Sequence, residues 1–248
     1  MRKTCVAAWV LVLVAGTVSA QEKPQEIIQR AIKAHGGDEK LARITCDKVK
    51  VNGFLVVGED DVLFTAETFV QLPGVFKNTV TLTVNGRKVV IVQILNGEKT
   101  SVTQDGQPLK VTAAADADMR ETMHLERAAR LVPLLNDKAY ELAALEESKV
   151  NNQPVNGVKV TMKGHKDLRL YFDKETNLLI KSEHPHDDGK GGGEVKQEEY
   201  YAEFKDFGDG FKRSSRVSTY RDGKKVMGAV LVEAKCLDKI PEAELAKP

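Results

Sequence analysis

The residues of this chain best suited to chemistry stand together at His184-Pro185-His186-Asp187-Asp188, where imidazole and carboxylate groups, both ordinary zinc and copper ligands, crowd into one short segment. A structural zinc needs four firmly held ligands, and this segment runs directly into Gly191-Gly192-Gly193. It therefore reads as part of a mobile, solvated loop, Pro185 to Gly193, and not as a metal centre. His35 closes a helical pattern before a glycine pair, a position where partial positive charge suits the helix dipole. His124 and His165 have no partners nearby in sequence and read as structural or surface residues.

The remaining reactive types are no better arranged. Glu198-Glu199 and Asp187-Asp188 are adjacent carboxylates, which on a strand point to opposite faces and cannot act as a pair. The three consecutive glycines neither follow a clear strand nor open a helix, so they form no phosphate cradle. Ser214-Ser215 lie inside an alternating strand pattern, and the chain lacks a Gly-x-Ser-x-Gly elbow. The expectation is a protein that is not an enzyme and carries no metal or cofactor.

The elements that would position these residues are mostly strands. Pro24 opens an amphipathic helix with Ile27, Ile28, Ala31 and Ile32 on one face, stopped by Gly36-Gly37, and Asp38 caps a further turn to Ile44. The period then changes to two. Val49, Val51, Leu55 and Val57 begin a strand, Val62 to Leu72 continues as a second, and Pro73-Gly74 turns the chain. Phe76, Val80, Leu82 and Val84 alternate with Lys77 and three threonines before the hairpin signal Asn85-Gly86. The partner run, Val89 to Leu95, is apolar on both faces and needs cover on each side.

Asn96-Gly97 and Asp105-Gly106 mark two more turns. The one long helical candidate spans Ala113 to Val132, with Leu125, Ala128, Ala129 and Val132 on one stripe and Pro133 as terminator. It is the natural cover for the sheet. Strand patterns resume near Tyr140 and recur to Cys236, the last two flanking Arg221-Asp222-Gly223. No linker or repeat divides the chain, so 21–248 reads as a single domain.

Residues Met1 to Ala20 have the form of a cleavable signal peptide: Arg2 and Lys3, an apolar run from Val6 to Ala15, then Val18-Ser19-Ala20 with cleavage expected before Gln21. A membrane-spanning helix needs about 20 consecutive apolar residues, and neither this run nor any later one supplies them. The formal net charge of +1 becomes −1 once Arg2 and Lys3 are removed, and the scattered lysines and arginines argue against a nucleic-acid partner. Cleavage also leaves two cysteines, Cys46 and Cys236, which an oxidising compartment would permit to pair; the alternative is two small buried hydrophobes.

Two segments, Ala34-His-Gly-Gly-Asp-Glu-Lys-Leu-Ala-Arg-Ile44 and Leu170-Tyr-Phe-Asp-Lys-Glu-Thr-Asn-Leu-Leu-Ile180, together with the hairpin from Phe204 to Leu237, resemble exported proteins of the LolA-like lipoprotein-carrier, or outer-membrane lipoprotein-sorting, superfamily. The resemblance implies a mainly β (α+β) fold: a strongly curved antiparallel sheet forming an incomplete barrel, with a long helix and a short N-terminal helix over its concave side. It also implies a periplasmic carrier of lipid or lipoprotein acyl chains, monomeric, meeting membrane-bound donor or acceptor proteins. Extra length falls at Lys149 to Gly157 and Pro185 to Gly193, and no functional residue of the family is matched position by position. The expected ligand-lining residues are Phe64, Leu82, Ile91, Met119 and Met123, the methionines because a flexible thioether suits varied chains. An enclosed apolar space of about 300 Å³ or more would favour a carrier, and a solid interior an envelope scaffold.

Overall fold

The structure is a computed structural model and describes residues 22–187, 193–208 and 210–245. The expected signal peptide lies outside the described residues. Among the described residues, fourteen strands form one antiparallel sheet. The first run comprises β1 (Cys46–Val57), β2 (Asp60–Gln71), β3 (Val75–Val84), β4 (Arg87–Asn96), β5 (Lys99–Gln104) and β6 (Gln107–Leu109). The second comprises β7 (Tyr140–Ala144), β8 (Ser148–Val150), β9 (Gln153–Met162), β10 (Leu168–Asp173), β11 (Leu179–Asp187), β12 (Glu194–Asp206), β13 (Lys212–Arg221) and β14 (Lys224–Cys236). Their spatial order is β6-β5-β4-β3-β2-β1-β14-β13-β12-β11-β10-β9-β7, with β8 on β9. The two halves meet at the β1–β14 pair, and β6 and β7 remain as separate edges, so the sheet is not closed into a barrel.

The turns follow the sequence signals closely. Asn85-Gly86, Asp105-Gly106 and Asp222-Gly223 all take positive φ, the conformation that a two-residue hairpin requires and that Asn, Asp and Gly tolerate. Asn151-Asn152 makes a further such turn between β8 and β9. Strand alternation assigns the faces. Phe64 on β2, Leu82 on β3 and Val89 on β4 are directly opposite one another and share the inner face. Two strand glycines are backed by aromatic rings: a Cβ on Gly53 would come within 2.7 Å of the Phe64 ring, and one on Gly228 within 2.7 Å of Phe54. Alanine at 228 would displace the Phe54 ring, and alanine at 53 would meet the Gly228 backbone carbonyl as well as the Phe64 ring.

Helices α1 (Pro24–His35) and α2 (Asp38–Arg43) precede the sheet, while α3 (Ala113–Ala129) and α4 (Val132–Asn136) join its halves. The main core forms where α1 places Ile27, Ile28, Ala31 and Ile32 against Val158 and Val160 of β9 and Leu168, Leu170 and Phe172 of β10. Each fully buried large aliphatic side chain contributes about 1.5–3 kcal/mol, so this short helix is a principal anchor. At its end, His35 Nδ1 donates to the Lys212 carbonyl at 2.8 Å and Nε2 accepts the Leu179 N–H at 3.1 Å. Accepting that N–H requires a neutral ring, and burial holds its pKa below the usual value. His35 is therefore a neutral pin between strands, and the helix-dipole role suggested by its position does not apply.

The long helix departs from expectation at its end. Thr112 caps α3 by accepting the Ala115 N–H, but the helix stops at Ala129, and Leu131 adopts φ 64°. Pro133 is a first-turn residue of α4, where a missing N–H costs nothing, so it starts a helix instead of ending one. The doubly apolar β4 is covered on both sides by different parts of the chain. Leu95 packs inward with Met123 of α3, while Lys77, the cross-strand partner of Ile94, faces outward and binds Glu244 of α5 (Glu242–Leu245) at 2.8 Å. The same C-terminal segment places Leu237, Ile240 and Leu245 over Phe69 and Cys46.

Cys46 and Cys236 are not bonded to each other. Cys236 is directly opposite Asp47, so alternation sends its side chain inward while Cys46 points outward beneath the C-terminal segment. Neighbouring strands bring the backbones together but set the sulfurs on opposite faces. Burial raises the Cys46 thiol pKa, whereas Cys236 is exposed. In the chain beginning at Gln21, an aromatic disulfide reagent should titrate one thiol in the native state and two after denaturation without reductant; no reactive thiol under denaturant would mean that a disulfide exists.

Asp47 also accepts from Arg130, just past α3, at 2.7 Å and from Arg213 of β13 at 2.8 Å. All three side chains are largely buried. Replacing Asp47 by Ala removes the carboxylate that both guanidiniums bind. The expected loss is about 3–5 kcal/mol, read as a lower urea midpoint.

Candidate functional site

Between α3 and the inner face of the sheet is a cavity of about 1030 Å³. Its wall includes Gln93 of β4 and Leu168 of β10, eight strands apart in the sheet order. At about 4.8 Å per strand a flat sheet would separate them by roughly 38 Å, so one cavity can touch both only because the sheet curls around α3.

The helix has two working faces. Met119 and Met123 are buried, and Met123 docks on Val70, Phe76 and Leu95. Asp118, Glu121, Thr122, Leu125, Glu126 and Ala129, spaced at three and four residues, form the stripe that faces the cavity. Of the five expected lining residues, Phe64, Leu82 and Ile91 share the inner sheet face, Met123 docks the helix beside the cavity, and Met119 is buried. None of the five forms its wall. Ala129 of the expected apolar stripe does line it, while Ala128 is fully buried in the core.

The cavity wall is divided by chemistry. Leu168, Leu170, Leu179, Leu125, Leu55 and Met227 supply an apolar part. Strands β11 and β12 supply a polar part through Ser182, His184 and His186 on one strand and Gln197, Glu199 and Tyr201 on the next. The segment from His184 to Asp187 is strand and not loop; residues 188–192 lie outside the described residues. Period two therefore places His184 and His186 on one face, and it separates Glu198, which pairs with Lys181 and Lys196 outside, from Glu199 inside. Among the described residues no three His, Cys, Asp or Glu side chains are grouped as a metal would require.

The polar side chains form a directed chain of hydrogen bonds. Arg221 Nε donates to Gln197 at 2.9 Å, and Gln197 donates to Glu199 at 3.3 Å. From the other side Tyr201 donates to Glu199 at 2.7 Å and is itself 2.9 Å from the Ser182 hydroxyl. Burial and the Glu199 carboxylate push the Tyr201 pKa well above 10, so the phenol keeps its proton. Burial raises the Glu126 pKa, against the pull of the Arg130 guanidinium. His184 is 7% exposed, and its Nδ1 has no hydrogen-bond partner. Sequence patterning brings out His184 and His186 as possible metal ligands and Glu199 as one of an adjacent carboxylate pair, but not Ser182, Gln197 or Tyr201, although Ser-x-His-x-His and Gln-x-Glu-x-Tyr at period two carry the signal.

At the mouth, Lys166 pairs with Glu194 at 3.0 Å, and Glu121 on α3 binds His165 Nδ1 at 2.8 Å. His165 in turn stacks on His124, with ring centroids 4.1 Å apart and planes within 11°. The two histidines that lack sequence neighbours thus tie α3 to the β9–β10 turn. His124 is held at about 4 by burial and by its neighbour His165. Burial also lowers the pKa of His35, His184 and His186.

In each case the folded pKa lies below the unfolded value near 6.5, so the unfolded chain takes up protons first and stability falls with acid. Urea stability should be level above pH 7 and decline between about pH 6.5 and 5, a window above the ordinary carboxylate range. Replacing His124 by Phe should flatten that decline, and an unchanged slope would exclude His124 as a source.

No protein-family model matches this sequence, and no curated protein matches it. Solved structures do. A LolA superfamily protein from Nitrosomonas europaea superposes with a TM-score of 0.56 at 14% identity, over 91% of this chain and 97% of its own. A putative outer membrane lipoprotein-sorting protein domain from Vibrio parahaemolyticus gives 0.50 at 12% identity, covering 90% and 96%. A DUF1329 family protein from Desulfovibrio piger gives 0.53 at 10%, covering 89% and 95%. Near-complete coverage in both directions, with one antiparallel sheet curled over its helices, shows that this chain has the LolA-like fold.

Proposed function

We propose that this protein is a non-enzymatic carrier or binder of lipid-like molecules in the cell envelope, acting as a single domain after residues 1–20 are removed. The observation that carries the reading is the cavity of about 1030 Å³ under α3. It exceeds threefold the roughly 300 Å³ at which ligand pockets begin, whereas a solid scaffold would fill that space with side chains. Small residues keep it open: Ala114, Ala115, Ala117 and Ala129 stand on the helix side where leucines would close it. Leucines on β10 and β11 offer an alkyl chain a surface to cover. No helix among the described residues is long and apolar enough to cross a membrane.

The test is binding of a fluorescent fatty-acyl probe, with mass spectrometry of an organic extract of the purified protein. Saturable binding at micromolar concentration or better is expected, about −8 kcal/mol. Ala129→Leu places a larger side chain in the cavity and should weaken probe binding several-fold with little change in thermal midpoint. Ala128→Leu is the contrast: it enters a filled core and should destabilise by about 1–3 kcal/mol. No saturable binding and no extracted lipid would reject the carrier in favour of an interaction scaffold.

A further inference from the structure

The charges in this cavity constrain which amphiphile it accepts. Resting on the carrier reading of the same cavity, we propose that its polar half binds a protonated amine, making the ligand a cationic amphiphile whose alkyl chain lies along the leucines of β10 and β11. The wall carries six carboxylates, Asp118, Glu121, Glu126, Asp187, Glu194 and Glu199, against two fixed cations, Lys166 and Arg221. Those two cations have partners: Lys166 pairs with Glu194, and Arg221 donates to Gln197.

Deeper in, Arg130 and Arg213 both bind Asp47, which occupies the two guanidiniums nearest the polar half of the cavity. An anionic headgroup would add charge of the same sign to a partly desolvated site, which is strongly unfavourable. An ammonium brings charge of the opposite sign to Glu199.

Hydrogen-bonding capacity points the same way. Glu199 accepts from Gln197 and Tyr201, yet an ionised carboxylate offers about four acceptor sites. Glu199 is opposite Ser182, which makes His184 its diagonal neighbour on the inner face. His184 is more than nine-tenths buried, with Nδ1 unpartnered, and it belongs to the cavity wall. A buried polar atom without a partner is uncommon in native proteins and is readily explained by a bound group. An ammonium carries three N–H donors, and Glu199 and the neighbouring imidazole offer acceptors for two of them, with Glu126 on the same cavity wall. The arrangement selects a primary amine over a quaternary one, which has no N–H to give.

The experiment compares dodecylammonium, dodecyltrimethylammonium, dodecanol and dodecanoate, each below its micellar concentration, by calorimetry and by displacement of the fluorescent probe from the mature protein. Dodecylammonium should bind at least about tenfold more tightly than dodecanoate and more tightly than the trimethyl compound. Glu199→Gln and, separately, Glu126→Gln should each reduce dodecylammonium affinity several-fold while leaving dodecanol within about twofold. The dodecanol arm also reports that each variant is folded. If dodecanoate binds as well as the amine, or if neither glutamine variant discriminates, the amine site is rejected and the carrier reading stands. If none of the four binds, both are rejected.

Discussion

Asp47 holds the two halves of this molecule in register. It is on β1, the strand at which the N-terminal and C-terminal runs meet, and its two oxygens are taken by arginines from opposite directions. Arg130 arrives from the end of the long helix, and Arg213 from a strand two places away in the sheet. A buried carboxylate between two guanidiniums tolerates little displacement, because moving any partner leaves a desolvated charge unpaired. The end of α3 is thereby set over the seam, and the space in front of the helix is bounded.

The helix itself explains why that space stays open. Its methionine face docks against β2 to β4, and Ala128 enters the main core, so α3 has anchors of its own. Its other face, carrying alanines and carboxylates, looks across to β10, β11 and β12. Small side chains on the helix meet polar ones on the sheet, and neither set fills the volume. Glu121, His165 and His124 fasten the same helix at the mouth, through a hydrogen bond and a ring stack.

The inner wall is thus neither a dry core nor a solvated surface. Its hydrogen bonds run toward Glu199 from both sides, fixing the orientation of that carboxylate while leaving acceptor capacity unused. Such preorganisation reduces the reorganisation that binding a complementary charge would otherwise require. The leucines beside it provide the non-directional part of recognition, proportional to the apolar area covered.

Local chemistry was enough to read much of the architecture from sequence. Asn85-Gly86, Asp105-Gly106 and Asp222-Gly223 form turns because their backbone preferences belong to two residues and their immediate neighbours. The isoleucine stripe of α1 and the period-two runs of β2 to β4 likewise express spacing along a single segment. The site was not legible in this way. Whether Met123 docks a helix or Glu199 lines a cavity depends on which strands become neighbours and how far the sheet curls. Cys46 and Cys236 show the same limit, since their backbones adjoin while alternation parts their side chains. Steric and hydrogen-bonding preferences spanning a few residues made most of the elements and their turns readable along the chain, though not the end of α3 or the strand through His184. The cavity, its charge and its partnerships were not readable there, because those are sums over side chains that meet across register and curvature.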